Sequence, residues 1–439
     1  MAHTYEQFSA RRQRLLATMA ADGGGIAIVP TAPERTRNRD SEYLYRFDSY
    51  FYYLTGFTEP EALLILIADK AGSHKTILFC REKNIEREIW DGYRYGPDAA
   101  REAFGFDEAH SFSSLDEVLP KLIANQSILL YPAGHDAAFD TRAMGWLNAV
   151  RAQSRNGVTA PATLKDVRVL LDEMRLIKDA NEIATLKRSA TIGALGHLRA
   201  MRTTKPGMHE YEIEAELLYE FRRHGSQFPS YWPIVAGGTN ACVLHYNKND
   251  QPLHDGDLLL IDAGCELDGY ASDITRTFPV NGKFSGPQKT IYELVLTAQT
   301  AAFDAVRPGN NWNAPHDAAV CVLAQGFIDL GLCKGSLNAV IESGDYRRFY
   351  MHRTGHWLGL DVHDAGEYKQ NGGWRTLESG MVLTVEPGCY IRPDDSVPQE
   401  FWNIGIRIED DVLVTAAGCD VISSEAPKSV AAIEELMRQ

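Results

Sequence analysis

The sequence predicts two domains in tandem, an α/β domain of about 170 residues and then a larger α+β domain. Three observations predict this. Short apolar runs of strand length alternate with helical stretches through the first part. A chain of 439 residues exceeds one typical domain. Near 174–178, DEMRLIK runs into Asp179-Ala180-Asn181-Glu182, an N-cap acid with glutamate three residues on, which is a capping box. The boundary is therefore set at 174/175, giving domains 1–174 and 175–439.

In order, residues 5–20 read as a helix, followed by Gly23-Gly24-Gly25 and the strand-like IAIVP. LLILIA and TILFC are further strands, and 97–104, 115–124 and 139–152 read as helices between strands. Past the boundary, one helix should run from Ala180 to about Thr203 and stop at Lys205-Pro206-Gly207. A second follows over 210–224, ended by Gly225. Strand patterns then dominate, broken by helices near 286–306 and 315–331, until SVAAIEELMRQ closes the chain as a short helix.

Composition excludes several classes. A net charge of −15 argues against nucleic acid or an anionic membrane surface as partner. Apolar runs such as Leu63 to Ala68 are far short of the roughly twenty residues that span a bilayer. MAHTYEQFSARRQRLL has no apolar core of signal-peptide length. Seven scattered cysteines, never spaced CxxC, fit free thiols in a reducing cytoplasm. Cys265 and Cys389 each follow a candidate carboxylate by three residues and read as small buried hydrophobes.

Four segments carry chemistry. The apolar run Leu258–Ile261 leads into DAGCELDGYASDITRTF, with Glu266-Leu267-Asp268-Gly269 of turn composition. If those four residues form the loop, Asp262 and Asp273 are cross-strand partners with Cβ atoms about 5 Å apart. Two partly buried carboxylates so placed require either a shared proton or a cation between them. HRTGHWLGLDVHD holds His352, His356 and His363, closed by Asp364, beside glycines that allow close backbone approach. MVLTVEPGCY places Glu386 at a strand end, where Pro387-Gly388 stops pairing. In GIRIEDDVLV, alternation puts Arg407 and Glu409 on one face. This oxygen and nitrogen set, without thiolate, suits Mn²⁺, with Co²⁺ or Zn²⁺ as alternatives. Four carboxylates able to bridge suit two ions about 3.5–4 Å apart.

Together these segments resemble the proline-peptidase branch of the dinuclear "pita-bread" metallopeptidases, most closely the bacterial aminopeptidase P family. RNRDSEYLYRFDSYFYYLTGFTEPEALLIL resembles that family's non-catalytic N-terminal domain. MRLIKDANEIA, QFPSYWPIVAGGTNACVLHY and Leu253-His254-Asp255-Gly256-Asp257 extend the match over most of the chain. The resemblance implies an α/β N-terminal domain, then a pita-bread catalytic domain that releases the first residue of peptides with proline second. The attacking group it implies is a hydroxide bridging two metals.

It further implies that Asp262, Asp273, His356, Glu386 and Glu409 bind the metals, with Asp273 and Glu409 bridging. His245, His352 and His363 match histidines that contact substrate, and Glu386 matches the residue that takes a proton. Arg407 matches an arginine that orients the bridging glutamate, and Tyr390 a substrate-side tyrosine. Trp90, in IWDGYRYG, resembles a loop inserted into a neighbouring subunit's active site, or else is a core tryptophan. Arg375 is a candidate peptide-holding arginine. A homo-oligomer, dimer or tetramer, is the implied assembly. Prolidase shares the five ligands but needs a cationic clamp for a dipeptide carboxylate, which the sequence does not offer. Non-catalytic pita-bread binding proteins typically lack the ligands. Methionine aminopeptidases lack the long N-terminal part and the HRTGH segment.

Overall fold

The computed structural model describes residues 5–439. Its chain divides into two compact units, the first running through Met174 and the second Arg175–Gln439.

The first unit is built on a mixed six-stranded sheet. Its strands are β1 (Gly25–Pro30), β2 (Leu63–Ala68), β3 (His74–Cys80), β4 (Glu108–Ser111), β5 (Ile128–Tyr131) and β6 (Thr163–Asp166), in the order β4-β3-β2-β1-β5-β6. β1 runs antiparallel to β2, with Ile26 opposite Ile67, and parallel to β5, with Ile26 opposite Leu129. Alternate residues Ile26, Ile28, Leu63, Ile65, Ile77 and Phe79 share one core with Leu119 and Trp146 from the helices Leu115–Ile123 and Ala137–Arg151. The alternation follows from the two-residue repeat of a pleated strand. The helix Ile85–Asp91 was not foreseen. It buries no residue, and Trp90 on it is 83% exposed, so Trp90 is not a core tryptophan.

In the second unit, Asp179 and Glu182 form the expected capping box, and the helix runs Ala180–Thr203. The next helix is Glu210–Arg223, and two more lie at Gly286–Ala305 and Ala314–Asp329. Around them lie short antiparallel strands: β7 (Ile234–Gly237), β8 (Leu258–Asp262), β9 (Cys265–Leu267), β10 (Tyr270–Ala271), β11 (Thr275–Pro279), β12 (Val382–Val385), β13 (Gly388–Ile391), β14 (Ile404–Arg407), β15 (Asp410–Thr415) and β16 (Gly418–Val421). They pair as β7-β8-β11, β12-β15-β16 and β13-β14, while a bridge from Thr275 to Glu409 ties β11 to the junction of β14 and β15. All carboxylate-bearing segments therefore end in one place.

The register of the first hairpin differs from the sequence expectation. Leu267 pairs with Tyr270, and Asp262 faces Thr275, not Asp273. The turn is two residues, Asp268 and Gly269, both with positive φ (51° and 84°). An Asp-Gly pair accepts that backbone and matches the strand twist, so it wins over a four-residue loop. Asp273 consequently sits diagonally across from Asp262, still on the same face. Gly264 makes the crossing feasible, since a Cβ there would lie 1.7 Å from the Ser272 carbonyl oxygen.

Candidate metal centre

β8 ends in Asp262, whose Oδ2 lies 2.5 Å from Arg407 Nη2 and whose Oδ1 accepts from the Tyr231 hydroxyl. The same hydroxyl reaches Asp273 Oδ1 at 2.5 Å. Asp273 Oδ2 is 3.3 Å from His356 Nε2. Glu409 Oε2 accepts from the Thr275 hydroxyl at 2.6 Å, and Arg407 Nε donates to that hydroxyl at 3.1 Å. Arg407 thus holds Asp262 directly and reaches Glu409 through Thr275. Glu386 completes the ring, with Oε1 3.8 Å from His356 Nε2 and Oε2 3.8 Å from His352 Nδ1. Asp273, His356 and Glu409 each offer one ligand atom, all within 4.8 Å of one another.

Gly355 allows the HRTGH loop to reach this ring, because a Cβ there would meet the Thr384 carbonyl oxygen at 2.0 Å. His356 Nδ1 donates to the Trp357 carbonyl at 2.9 Å, which leaves Nε2 facing the carboxylates, as a metal-ligating imidazole requires. His352 is turned the other way. Its Nδ1 donates to the Arg353 carbonyl at 2.7 Å, and its Nε2 accepts from the Tyr390 hydroxyl at 2.9 Å. Arg407 Nη1 donates to that same hydroxyl at 2.9 Å. Tyr390, 1% exposed, is therefore a strut between Arg407 and His352.

The electrostatics are lopsided. Asp262, Asp273, Glu409 and Asp411 are buried and Glu386 half-buried, against the cationic groups Arg407 and His356. Burial pushes the Glu386 carboxyl up to about 7, and Glu409 and Asp411 well above the carboxylate range, helped by repulsion from Asp273. Burial raises Asp262 too, against the pull of Arg407. Asp273 is lowered: burial raises it, but His356, Tyr231 and Arg407 together more than offset that. His356 is in turn raised to about 9 by Asp273, against burial. A site that must take up protons to settle so many acids has the charge and the donor atoms to hold divalent cations instead. The residues present fit that group.

His363 is exposed, its ring 4.3 Å from that of His356 and crossing it at 75°. Burial and the charge of His356 lower its pKa. His352 is pushed down to about 3 by burial and Arg407, and remains a neutral ring. His245 is exposed and lies near both His352 and His363. Asp364 is not part of the site. It is a buried anchor for Arg175 (2.5 Å) and Lys178 (2.9 Å), which explains the MRLIK motif. Arg375 is buried, with its backbone paired to Tyr368 and Trp312. Cys265 and Cys389 are fully buried, and burial raises both thiols.

Sequence reasoning missed Tyr231, Thr275 and Asp411. Tyr231 touches both aspartates, and Asp411 accepts the Asp273 backbone N–H with both oxygens at 3.2 Å. A lone tyrosine or threonine has no spacing signal. Asp411 could have been found from the IEDD run, whose charge density is odd for a strand that buries both faces.

The chain matches Metallopeptidase family M24 over residues 184–416 and the N-terminal domain of aminopeptidase P over residues 8–131. It is 47% identical to an Xaa-Pro aminopeptidase of Haemophilus influenzae, covering 98% of this chain and 97% of the relative. The Xaa-Pro aminopeptidase of Escherichia coli K12 is 45% identical with the same coverage. Among solved structures, Pseudomonas aeruginosa aminopeptidase PepP superposes with a TM-score of 0.97 at 50% identity, over 100% of this chain and 99% of that one. Zinc-substituted E. coli aminopeptidase P in complex with product gives 0.96 at 45% identity, with the same coverage.

Proposed function

The chain belongs to metallopeptidase family M24, with an aminopeptidase P N-terminal domain ahead of a pita-bread catalytic domain, and from that premise we infer that it is an Xaa-Pro aminopeptidase. It is a hydrolase that releases the N-terminal residue from peptides with proline in second position. The observation that carries this is the convergence of Asp262, Asp273, Glu386 and Glu409 around His356, with Arg407 and His356 the cationic groups that face them among the described residues.

Those five residues would hold two divalent cations; the oxygen-rich set favours Mn²⁺ over Co²⁺ or Zn²⁺. When bound, the cations supply Lewis acidity, acidifying water and polarising the scissile carbonyl. The chain's own residues do the rest. Glu386, half-buried beside His356 and His352, takes the proton from the attacking water. His363, exposed beside His356, donates to the oxygen on which negative charge develops. His352, neutral and fixed by Tyr390 beside Glu386, assists departure of the proline nitrogen, which takes the proton Glu386 has gained as the C–N bond breaks. His245 lines the same approach. An Xaa-Pro bond lacks an N–H, so these contacts suit a tertiary amide that other peptidases cannot grip.

We place the enzyme in the cytoplasm, which the seven free cysteines support. No described helix is long and apolar enough to cross a membrane. A homo-oligomer is supported by the helix Ile85–Asp91, where Ile85, Ile89 and Trp90 are 75–83% exposed, a costly face for a lone chain. In that reading Trp90 contributes to a neighbour's substrate site.

The test is cleavage of Ala-Pro and Ala-Pro-Pro-Gly after chelation and Mn²⁺ addition, with products identified by mass. Fast release of Ala from the tetrapeptide, with slow dipeptide cleavage, is expected. The reverse preference would make the enzyme a prolidase.

A further inference from the structure

His316 lies on the helix Ala314–Asp329, outside all four chemistry-bearing segments. Its Nδ1 is 2.8 Å from the Thr354 hydroxyl, which is also 2.6 Å from the Tyr350 hydroxyl. Thr354 is buried and Tyr350 fully so. A threonine hydroxyl has one proton, so the order of donation can be worked out. If His316 donated from Nδ1, Thr354 would either accept from both neighbours or pass its proton to Tyr350, and in each case one of the two hydroxyl protons would lack a partner within the trio. The satisfied arrangement runs the other way. Tyr350 donates to Thr354, Thr354 donates to His316 Nδ1, and His316 is neutral with its proton on Nε2. Burial and the nearby Arg353 and Arg347 hold the imidazole pKa down to about 4, in keeping with that state.

The three residues grip the loop that presents both site histidines. Thr354 sits midway between His352 and His356, and its carbonyl accepts the Glu386 backbone N–H at 2.8 Å. The Tyr350 ring meets the His352 ring edge-on, with centroids 4.9 Å apart at 76°. A cavity of about 10 Å³ beside His316 and Thr354, lined also by Trp312, Arg353 and Leu383, is too small for any part of a peptide. We propose that His316 is a positioning residue: through the Thr354 hydroxyl and Tyr350 it fixes the orientation of His352 and the level of Glu386 relative to the HRTGH loop. The proposal rests on the aminopeptidase reading only for its kinetic readout.

The experiment is a double-mutant cycle on the full, Mn²⁺-loaded chain, using His316→Phe, Thr354→Val and the pair, with His316→Gln and Thr354→Ser as conservative rescues. Each disruptive single variant should lower kcat for Ala-Pro-Pro-Gly by about tenfold to a hundredfold, as a small misplacement of catalytic groups does. KM should stay within about twofold, and the double variant should be no worse than the worse single, because both break one chain. His316→Gln and Thr354→Ser, which retain an acceptor and a hydroxyl, should recover most of kcat. ¹⁵N spectra of the metal-free protein should show His316 protonated at Nε2 only, and the His352 ring resonances should shift in Thr354→Val. Wild-type kcat in His316→Phe, additive losses, or rescue variants as poor as the disruptive ones would overturn the proposal. Should the wild type cleave neither peptide, the aminopeptidase reading fails, while the spectra still decide the role of His316. An Nδ1-protonated His316, or an unmoved His352, would end it.

Discussion

Arg407 and Asp262 form a buried ion pair, Nη2 to Oδ2 at 2.5 Å, at the point where β14 and β8 both end beside the candidate metal centre. Arg407 also donates to Tyr390 and Thr275, so one guanidinium aligns a candidate ligand, a strut for His352 and the hydroxyl on Glu409. Replacing it with methionine leaves Asp262 buried without its partner, a loss of roughly 3–5 kcal/mol in the metal-free protein. Denaturant titration should show that loss shrinking when Mn²⁺ is bound, because a cation then meets the carboxylate. Arg407→Lys should keep part of the stability and less of the activity, since a single ammonium cannot serve three partners.

Tyr231 is the second test. Its hydroxyl is shared by Asp262 and Asp273, and burial beside those acids keeps it protonated. Tyr231→Phe should destabilise the metal-free protein by about 1–3 kcal/mol, the cost of unsatisfied buried acceptors. If the hydroxyl serves chiefly to hold the two carboxylates apart from one another before loading, the loaded forms should differ less than the metal-free ones in thermal unfolding.

The site's titration fixes a pH dependence. Glu386 is raised from 4.5 to about 7 by burial, and His356 from 6.5 to about 9 by Asp273. Both folded values lie above the unfolded ones, so each contribution is fully present below the unfolded pKa and is lost as pH rises through the folded one. Glu386 and His356 should therefore contribute two overlapping losses of stability in the metal-free protein, between pH 4.5 and about 7 and between 6.5 and about 9, alongside those of Glu409 and Asp411. Mn²⁺ should reverse the trend, with affinity rising over the same range as the ligands shed protons. Denaturation midpoints with chelator and with Mn²⁺, taken across that range, would check both signs. A Glu386→Gln variant should lack the lower step.

Much of this was legible before the structure. The capping box at Asp179 and the helix over 97–104 carry strong local signals, and both lie where expected. The hairpin register did not come out, because four residues of turn composition hide which two bend. The two positive-φ positions, Asp268 and Gly269, decided it. The helix Ile85–Asp91 was missed because its alternation buries nothing, leaving no periodic core face to read. Tyr231, Thr275 and His316 escaped for a different reason. Their partners lie 31, 134 and 38 residues away, and a single hydroxyl or imidazole leaves no mark at such separations.

We propose that Asp262, Asp273, His356, Glu386 and Glu409 form one cation-binding centre. The most direct measurement is metal stoichiometry by mass spectrometry after chelation and Mn²⁺ titration, on the wild type and on Asp273→Ala and Glu409→Ala, with peptide cleavage read in parallel. The expected result is two ions per wild-type chain, as two-ion carboxylate centres hold, and fewer than one in either variant, with cleavage abolished. Variants that keep the wild-type metal content and cut Ala-Pro-Pro-Gly at the wild-type rate would contradict it.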